Sequence, residues 1–165
     1  MKSPCRAYID IETTGLDRYR DEVTVVGICL ERDDEREVVQ LYDETLSQES
    51  ILAAVRQAGI LYSYNGARFD LPFIEQRLGV DLTRHFDHCD LMRHCWNRKI
   101  RGGLKAVERK LGISRKTKGV DGYMAVQLWW DYKDNGNKRA LRKLLKYNAE
   151  DVANLAHIRR KLGVR

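Results

Sequence analysis

Three short segments hold carboxylates in positions where they could do chemistry. In Tyr8-Ile9-Asp10-Ile11-Glu12-Thr13-Thr14-Gly15, Asp10 and Glu12 lie two residues apart in an alternating apolar run. A strand sends both side chains from one face, with Ile9 and Ile11 on the other. Two carboxylates on so apolar a strand are costly unless a cation neutralises them, and oxygen donors of this kind suit magnesium or manganese. An edge strand with one wet face accounts for the same pattern without a metal. In Asn65-Gly66-Ala67-Arg68-Phe69-Asp70-Leu71-Pro72, Asp70 stands at a loop-to-helix junction, where an ordinary helix cap is its simplest role. In Tyr147-Asn148-Ala149-Glu150-Asp151, Tyr147 and Asp151 are four apart and share a helix face, while Glu150 points elsewhere, toward solvent. A separate group, His85, His88, Cys89, His94 and Cys95, offers zinc-type donors. Its spacing matches no familiar finger or ribbon, so buried thiols and surface imidazoles are the better account, with zinc left open.

The elements that must position these residues follow from periodicity. Residues 5–12 read as a first strand, 23–30 as a β-branched central strand and 37–42 as a third, after a charged turn. Ser47 can cap a helix over residues 48–58. Residues 60–64 form a short strand, Asn65-Gly66 a turn, and residues 71–78 a helix with Pro72 in its first turn. Helices are expected at 90–97, 104–111 and 123–132, with a basic loop at 114–122. The longest runs from about Lys138 to Leu162, its apolar residues from Leu141 to Ile158 spaced by three and four. Strands precede helices, which gives an α/β fold with a central mixed sheet flanked by helices, in one domain over residues 1–165.

Taken in order, Asp-x-Glu on a first strand, Asn-x-x-x-Phe-Asp at a later turn and Tyr-x-x-x-Asp on a late helix resemble the three exonuclease motifs of the DEDD superfamily. Tyr147 places the resemblance in the tyrosine branch; the histidine branch wants His where this chain has Lys146. Within it, the stretch from Gly103 to Ile113 is similar to the YprB-type ribonuclease H-like exonuclease domains. The resemblance implies a ribonuclease H-like fold and 3′→5′ hydrolysis of nucleic acid with two divalent metal ions, Mg2+ or Mn2+. By resemblance, Asp10, Glu12, Asp70 and Asp151 are the ligands, Asp10 bridges the two metals, and Tyr147 orients the attacking water. A phenol with pKa near 10 is a poor base at neutral pH, so orientation comes before proton transfer. Thr13, Thr14, Gly15 and Leu16 are expected at the 3′-terminal nucleotide, with Leu16 on its base and Asn65 nearby. A plain turn and a core leucine are the structural alternatives. An endonuclease of the same fold and a non-catalytic nucleic-acid-binding module remain rival functions.

Charge and composition bear on the partner. The net charge is +6, yet residues 1–92 carry 10 Lys/Arg against 18 Asp/Glu, and residues 93–118 carry 10 against 1. Such a split suggests a polyanion for the basic part. Arg98-Lys99-Ile100-Arg101 and the loop residues Arg115, Lys116 and Lys118 are candidate phosphate contacts, sequence-tolerant and salt-dependent. Trp96, Trp129 and Trp130 fit the core better than base stacking. A nucleic-acid 3′ end, single-stranded rather than duplex, is the expected partner, with DNA or RNA undecided; a separate polymerase or repair protein is a further one. At 165 residues about 70% of the unfolded surface can be buried, so no staple is needed. The four cysteines form no CxxC pair, no apolar run reaches the roughly 18 residues of a membrane span, and no secretory signal is present, which points to the cytoplasm.

Overall fold

The structure, a computed structural model, describes residues 4–165. Five strands form one mixed sheet in the order β3-β2-β1-β4-β5, built from β1 (Cys5–Thr13), β2 (Val23–Arg32), β3 (Glu35–Tyr42), β4 (Ala58–Ser63) and β5 (Asp87–Asp90). A loop over residues 14–22 and a tight turn at 33–34 join β1, β2 and β3 as antiparallel neighbours, whereas the crossover through α1 (Gln48–Val55) returns β4 parallel to β1. The next connection passes through α2 (Asp70–Leu78) and makes β5 parallel to β4. After β5 the chain is helical: α3 (Leu91–Asn97), α4 (Leu104–Lys110), α5 (Gly122–Asn135) and α6 (Lys138–Leu162).

β1 lies in the middle of the sheet, so both its faces are covered. Ala7, Ile9 and Ile11 pack with Val26 and Ile28 against Ile51 and Val55 of α1 and against Leu71, Phe73 and Ile74 of α2. On the opposite face Tyr8 packs with Tyr62 beneath α3, α4 and the C-terminal half of α6, through Leu91, Cys95, Val107, Val152, Leu155 and Ile158. A third cluster joins Val25 to Ala125 and Trp129 of α5 and to Leu144 and Tyr147 of α6. The result is a sheet between two helical layers. Alternation along β1 therefore aims Asp10 and Glu12 at α6.

Local signals explain most boundaries. Ser47 accepts from the Ser50 amide to start α1, and Asp121 accepts from Met124 to start α5. Gly136, with φ +63°, ends α5 in the left-handed conformation, and Asn137 at once caps α6 through the amides of Arg139 and Ala140. Two expectations need correction. A strand, β5, precedes α3, because Asp87–Asp90 pairs with β4 before Asp90 caps the helix. The helix expected to reach residue 58 stops at Val55, since the chain must turn to enter β4.

Candidate functional site

Oxygens of Asp10, Glu12 and Asp151 lie within 4.8 Å of one another. The first two come from the middle strand and the third from α6, far along the chain, so packing of α6 on the sheet assembles the cluster. Gly27 permits that packing. It pairs with Asp10 across β1 and β2, and a Cβ placed there would come within 2.1 Å of the Asn148 side-chain oxygen. Asn148 is fully buried. Its amide nitrogen donates to the Asp10 carbonyl at 3.2 Å and to carboxylate oxygens of Asp10 and Glu12 at 3.4 Å, while its oxygen accepts from Gln40 at 2.9 Å. Asn148 thus orients both strand carboxylates from the helix.

Asp70 is not the helix cap that its position suggests. It is the first residue of α2; the capping position belongs to Phe69, which makes no side-chain cap. Asp70 is instead buried, and its Oδ2 has no hydrogen-bond partner. Burial and the charge of Asp90 push its pKa up to about 8. Burial, followed by the charges of Asp151, Glu12 and Asp70, raises Asp10 far above the usual carboxylate range. Burial and Asp151 do the same for Glu12, against the Asn148 hydrogen bond. Asp151 rises to about 6, mainly by burial, with Arg115 pulling it down. Four buried carboxylates, three of them raised further by a neighbouring carboxylate of the group, call for more positive charge than the side chains supply. Buried oxygen donors with one orphaned atom fit a hard divalent cation.

Two side chains supply part of that charge; of them the sequence singles out only Arg115, and as a phosphate contact. Lys105 of α4 donates to the Tyr147 hydroxyl at 2.6 Å and lies 4.5 Å from its ring centre. Tyr147 is buried, and burial with the neighbouring carboxylates drives its pKa far above the usual phenol value. Arg115 donates to Asp151 at 2.5 Å and to both oxygens of Glu108 at 2.8 Å. The expectation that Arg115 follows a phosphate backbone from an exposed loop is corrected here: its side chain is 11% exposed and committed to carboxylates. Glu150, expected in solvent, holds the same loop by accepting from the amides of Lys116 and Thr117 and from the Thr117 hydroxyl. Lys116 and Lys118 remain exposed.

The other named residues fall in two places. Thr13, Thr14, Gly15 and Leu16 line a cleft of about 560 Å³ beside Glu12, closed by Phe69 on one side and Tyr123 on the other. Leu16 is 86% exposed, which removes the core-leucine alternative. The Thr13 hydroxyl is engaged, donating to the Gly15 carbonyl. A second hollow of about 470 Å³ joins Asp10, Glu12 and Asp151 to Lys105, Arg109 and Tyr147. Asn65 takes a left-handed turn with φ +61°, and its amide donates to Asp90. The zinc-type donors do not converge: His88 pairs with Ser63, Cys89 with His94, Cys95 is buried, and the one group of metal-type donors among the described residues is Asp10, Glu12 and Asp151. Arg98 is committed to the carbonyls of His94 and Leu162. Trp129 is core, whereas Trp96 and Trp130 are partly exposed.

A family model described as RNase H superfamily matches residues 7–163. The chain belongs to the RNase H superfamily. An uncharacterised Methanocaldococcus jannaschii protein, MJ0365, is 27% identical over 159 residues, 89% of each chain. The family B DNA polymerase of the archaeon Pyrobaculum calidifontis superposes with a TM-score of 0.74 at 17% identity, over 97% of this chain and 24% of the polymerase, so this chain spans about a quarter of that protein. A nuclease solved in its apo form superposes with a TM-score of 0.62 at 25% identity, over 97% of this chain and 72% of the nuclease. In this superfamily fold, with a nuclease among its structural neighbours, the acidic cluster is compatible with divalent metal binding. Among the described residues no helix is long and apolar enough to cross a membrane.

Proposed function

We propose that the protein is a metal-dependent 3′→5′ exonuclease of the tyrosine-type DEDD class, acting on single-stranded nucleic acid. The observation that carries this reading is the convergence of Asp10, Glu12 and Asp151 within 4.8 Å. Asp70 and Tyr147 lie close enough to perturb the cluster or be perturbed by it. Asp10, Glu12, Asp70 and Asp151 would hold two Mg2+ or Mn2+ ions, which when bound supply an activated water and neutralise charge at the scissile phosphate. The protein side chains do the positioning. Asn148 fixes the strand carboxylates, and Arg115 fixes Asp151. Tyr147 stays a neutral phenol, and because Lys105 donates to its oxygen, its own proton is free to donate to a water or a phosphate oxygen. It therefore orients and does not serve as a general base.

The cleft between Leu16, Phe69 and Tyr123 opens beside Glu12 and has room for a terminal nucleotide, with the Thr13–Leu16 turn along one wall; Asn65, on its own turn, does not line it. Lys116 and Lys118 would meet the phosphates that follow it. Four free thiols fit a reducing cytoplasm.

The test is digestion of end-labelled single-stranded DNA and RNA with Mg2+ or Mn2+, with Asp151→Ala as control. Mononucleotide steps from the 3′ end, absent in the variant and absent on closed circular strands, are the expected result. Cleavage of the circles would make it an endonuclease. Metal-independent binding without cleavage, unchanged in Asp10→Ala, would make it a binding module.

A further inference from the structure

A lone arginine on Asp151 presents a contradiction. It orients the carboxylate, but its positive charge repels any cation that the same carboxylate is to hold. The structure contains the remedy. Glu108 of α4 is completely buried, and both its carboxylate oxygens accept from the Arg115 Nη1 at 2.8 Å. That carboxylate has no other polar partner among the described residues. It occupies one terminal nitrogen of the guanidinium, while the other, Nη2, reaches Asp151.

We infer that Glu108 and Arg115 form a neutral positioning pair, in which Arg115 orients Asp151 and Glu108 cancels the arginine charge so that a divalent cation can still bind. Neither residue touches the reacting atoms. The planar fork of arginine suits this role, because one end holds Glu108 and the other holds Asp151 at fixed geometry, which a lysine cannot do. A fully buried carboxylate is expensive and persists only with a partner. Glu108 therefore has a definite reason to be acidic rather than apolar, although it is buried in a short helix beside Val107. Glu150 ties down the loop from Ser114 to Lys118 through the amides of Lys116 and Thr117, so the Arg115 backbone is already in place; its carboxylate also lies 3.6 Å from Arg115 Nε, beyond hydrogen-bond distance, which leaves Glu108 as the closer counter-charge.

The inference rests on the metal site proposed above, and its test separates the two. Mn2+ binding to the intact, nucleic-acid-free chain is measured by titration calorimetry for the wild type, Asp10→Asn, Glu108→Gln, Glu108→Asp and the double variant Glu108→Gln/Arg115→Gln, with circular dichroism and thermal unfolding in EDTA as fold controls. Glu108→Gln keeps the shape and removes the closer counter-charge, leaving only the more distant Glu150 beside the guanidinium; Mn2+ affinity should fall by about tenfold. Glu108→Asp keeps the charge and should stay within about threefold of wild type, whatever it costs in stability. The double variant removes both charges and should recover most of the loss. Wild-type affinity in Glu108→Gln, equal losses in Glu108→Asp and Glu108→Gln, or no recovery in the double variant each overturn the neutral pair while leaving the metal site intact. Absence of Mn2+ binding in the wild type, or binding that ignores Asp10→Asn, overturns the site and the pair together.

Discussion

Gly27 is the position where a single methyl group should do the most damage to the site without touching a carboxylate. Its Cα carries nothing on the side facing α6, and a Cβ there would lie 2.1 Å from the Asn148 oxygen and 2.9 Å from its Cγ, where ordinary contact begins near 3.4 Å. In Gly27→Ala the Asn148 side chain must therefore retreat by more than about 1 Å. Its bonds to Asp10 and Glu12 are already 3.4 Å long and cannot stretch further. Overpacking a well-filled core costs about 1–3 kcal/mol, and a lost hydrogen bond to a charged group about as much again. A total near 3 kcal/mol corresponds to a fall in Tm of roughly 6–12 °C for a chain of this size. The assay is thermal unfolding in EDTA of Gly27→Ala, Asn148→Ala and the double variant, with Mn2+-dependent nuclease activity alongside. Because both substitutions act on one contact, Gly27→Ala should add little once Asn148 is shortened, leaving a coupling of more than about 1 kcal/mol. Strictly additive losses, or a Gly27→Ala protein as stable and active as wild type, would refute the account of how the strand carboxylates are held.

Other outcomes follow from the same geometry. Buried carboxylates with raised pKa values bind more protons in the folded than in the unfolded state, so the metal-free protein should lose stability as pH rises from about 4 towards 8, the span between the ordinary carboxylate value and that of Asp70. Melting in EDTA across that range checks this; Asp70→Asn should flatten the slope, and added Mn2+ should stabilise more at pH 8 than at pH 5. Arg159 donates to Tyr8, to the Val164 carbonyl and to buried Glu31, on the same face of the sheet as the site but further back along β1; Glu31 keeps Arg36 and Arg160 as partners, so Arg159→Met should cost about 1–3 kcal/mol in urea unfolding and leave the Mn2+ affinity of the folded protein unchanged. Arg142→Gln with Lys146→Gln, both exposed on α6, should lower the slope of log affinity against log salt for single-stranded DNA by about 1.4, roughly 0.7 for each lost phosphate contact, in fluorescence anisotropy.

The carboxylates were legible in the sequence because their spacing is local. Asp10 and Glu12 are paired by the period of a strand and Tyr147 and Asp151 by the turn of a helix, and periodicity also foretold α6 to its ends. What escaped was the set of residues that hold them, since each acts on a partner distant in the chain. Asn148 looks like any polar residue in a helix; the signal that could have exposed it is Gly27, a glycine inside a β-branched strand where a close approach is the usual cause. Glu108 lies in a run of lysines and arginines and reads as a surface charge until α4 is seen to bury it. Asp70 read alone suggests a cap, and only the resemblance makes it a ligand: a cap and a buried first-turn carboxylate occupy adjacent positions, and only tertiary packing distinguishes them.

The uneven charge takes on a different meaning once these contacts are drawn. Composition alone makes residues 93–118 a patch of ten cations awaiting a polyanion. Four of them are already occupied: Arg98 with two carbonyls, Lys105 with Tyr147, Lys110 with the Arg101 carbonyl and Arg115 with Glu108 and Asp151. Two of the four, Lys105 and Arg115, bring counter-charge to the carboxylate cluster that the first strand cannot neutralise, whereas Arg98 and Lys110 hold backbone carbonyls. Cations left for a phosphate chain lie further along, in Lys116 and Lys118 and in the exposed row of Arg139, Arg142, Lys143 and Lys146, spaced by three and four on α6 and ending beside Tyr147. A strand following that row would reach the carboxylates from the N-terminal end of α6, passing Glu150, whose charge is spent on the loop of Lys116 and Thr117 and so opposes it little. Neutralising Glu150 by substitution would release that loop rather than improve the track, which is why the acidic residue nearest the row does not contradict its role.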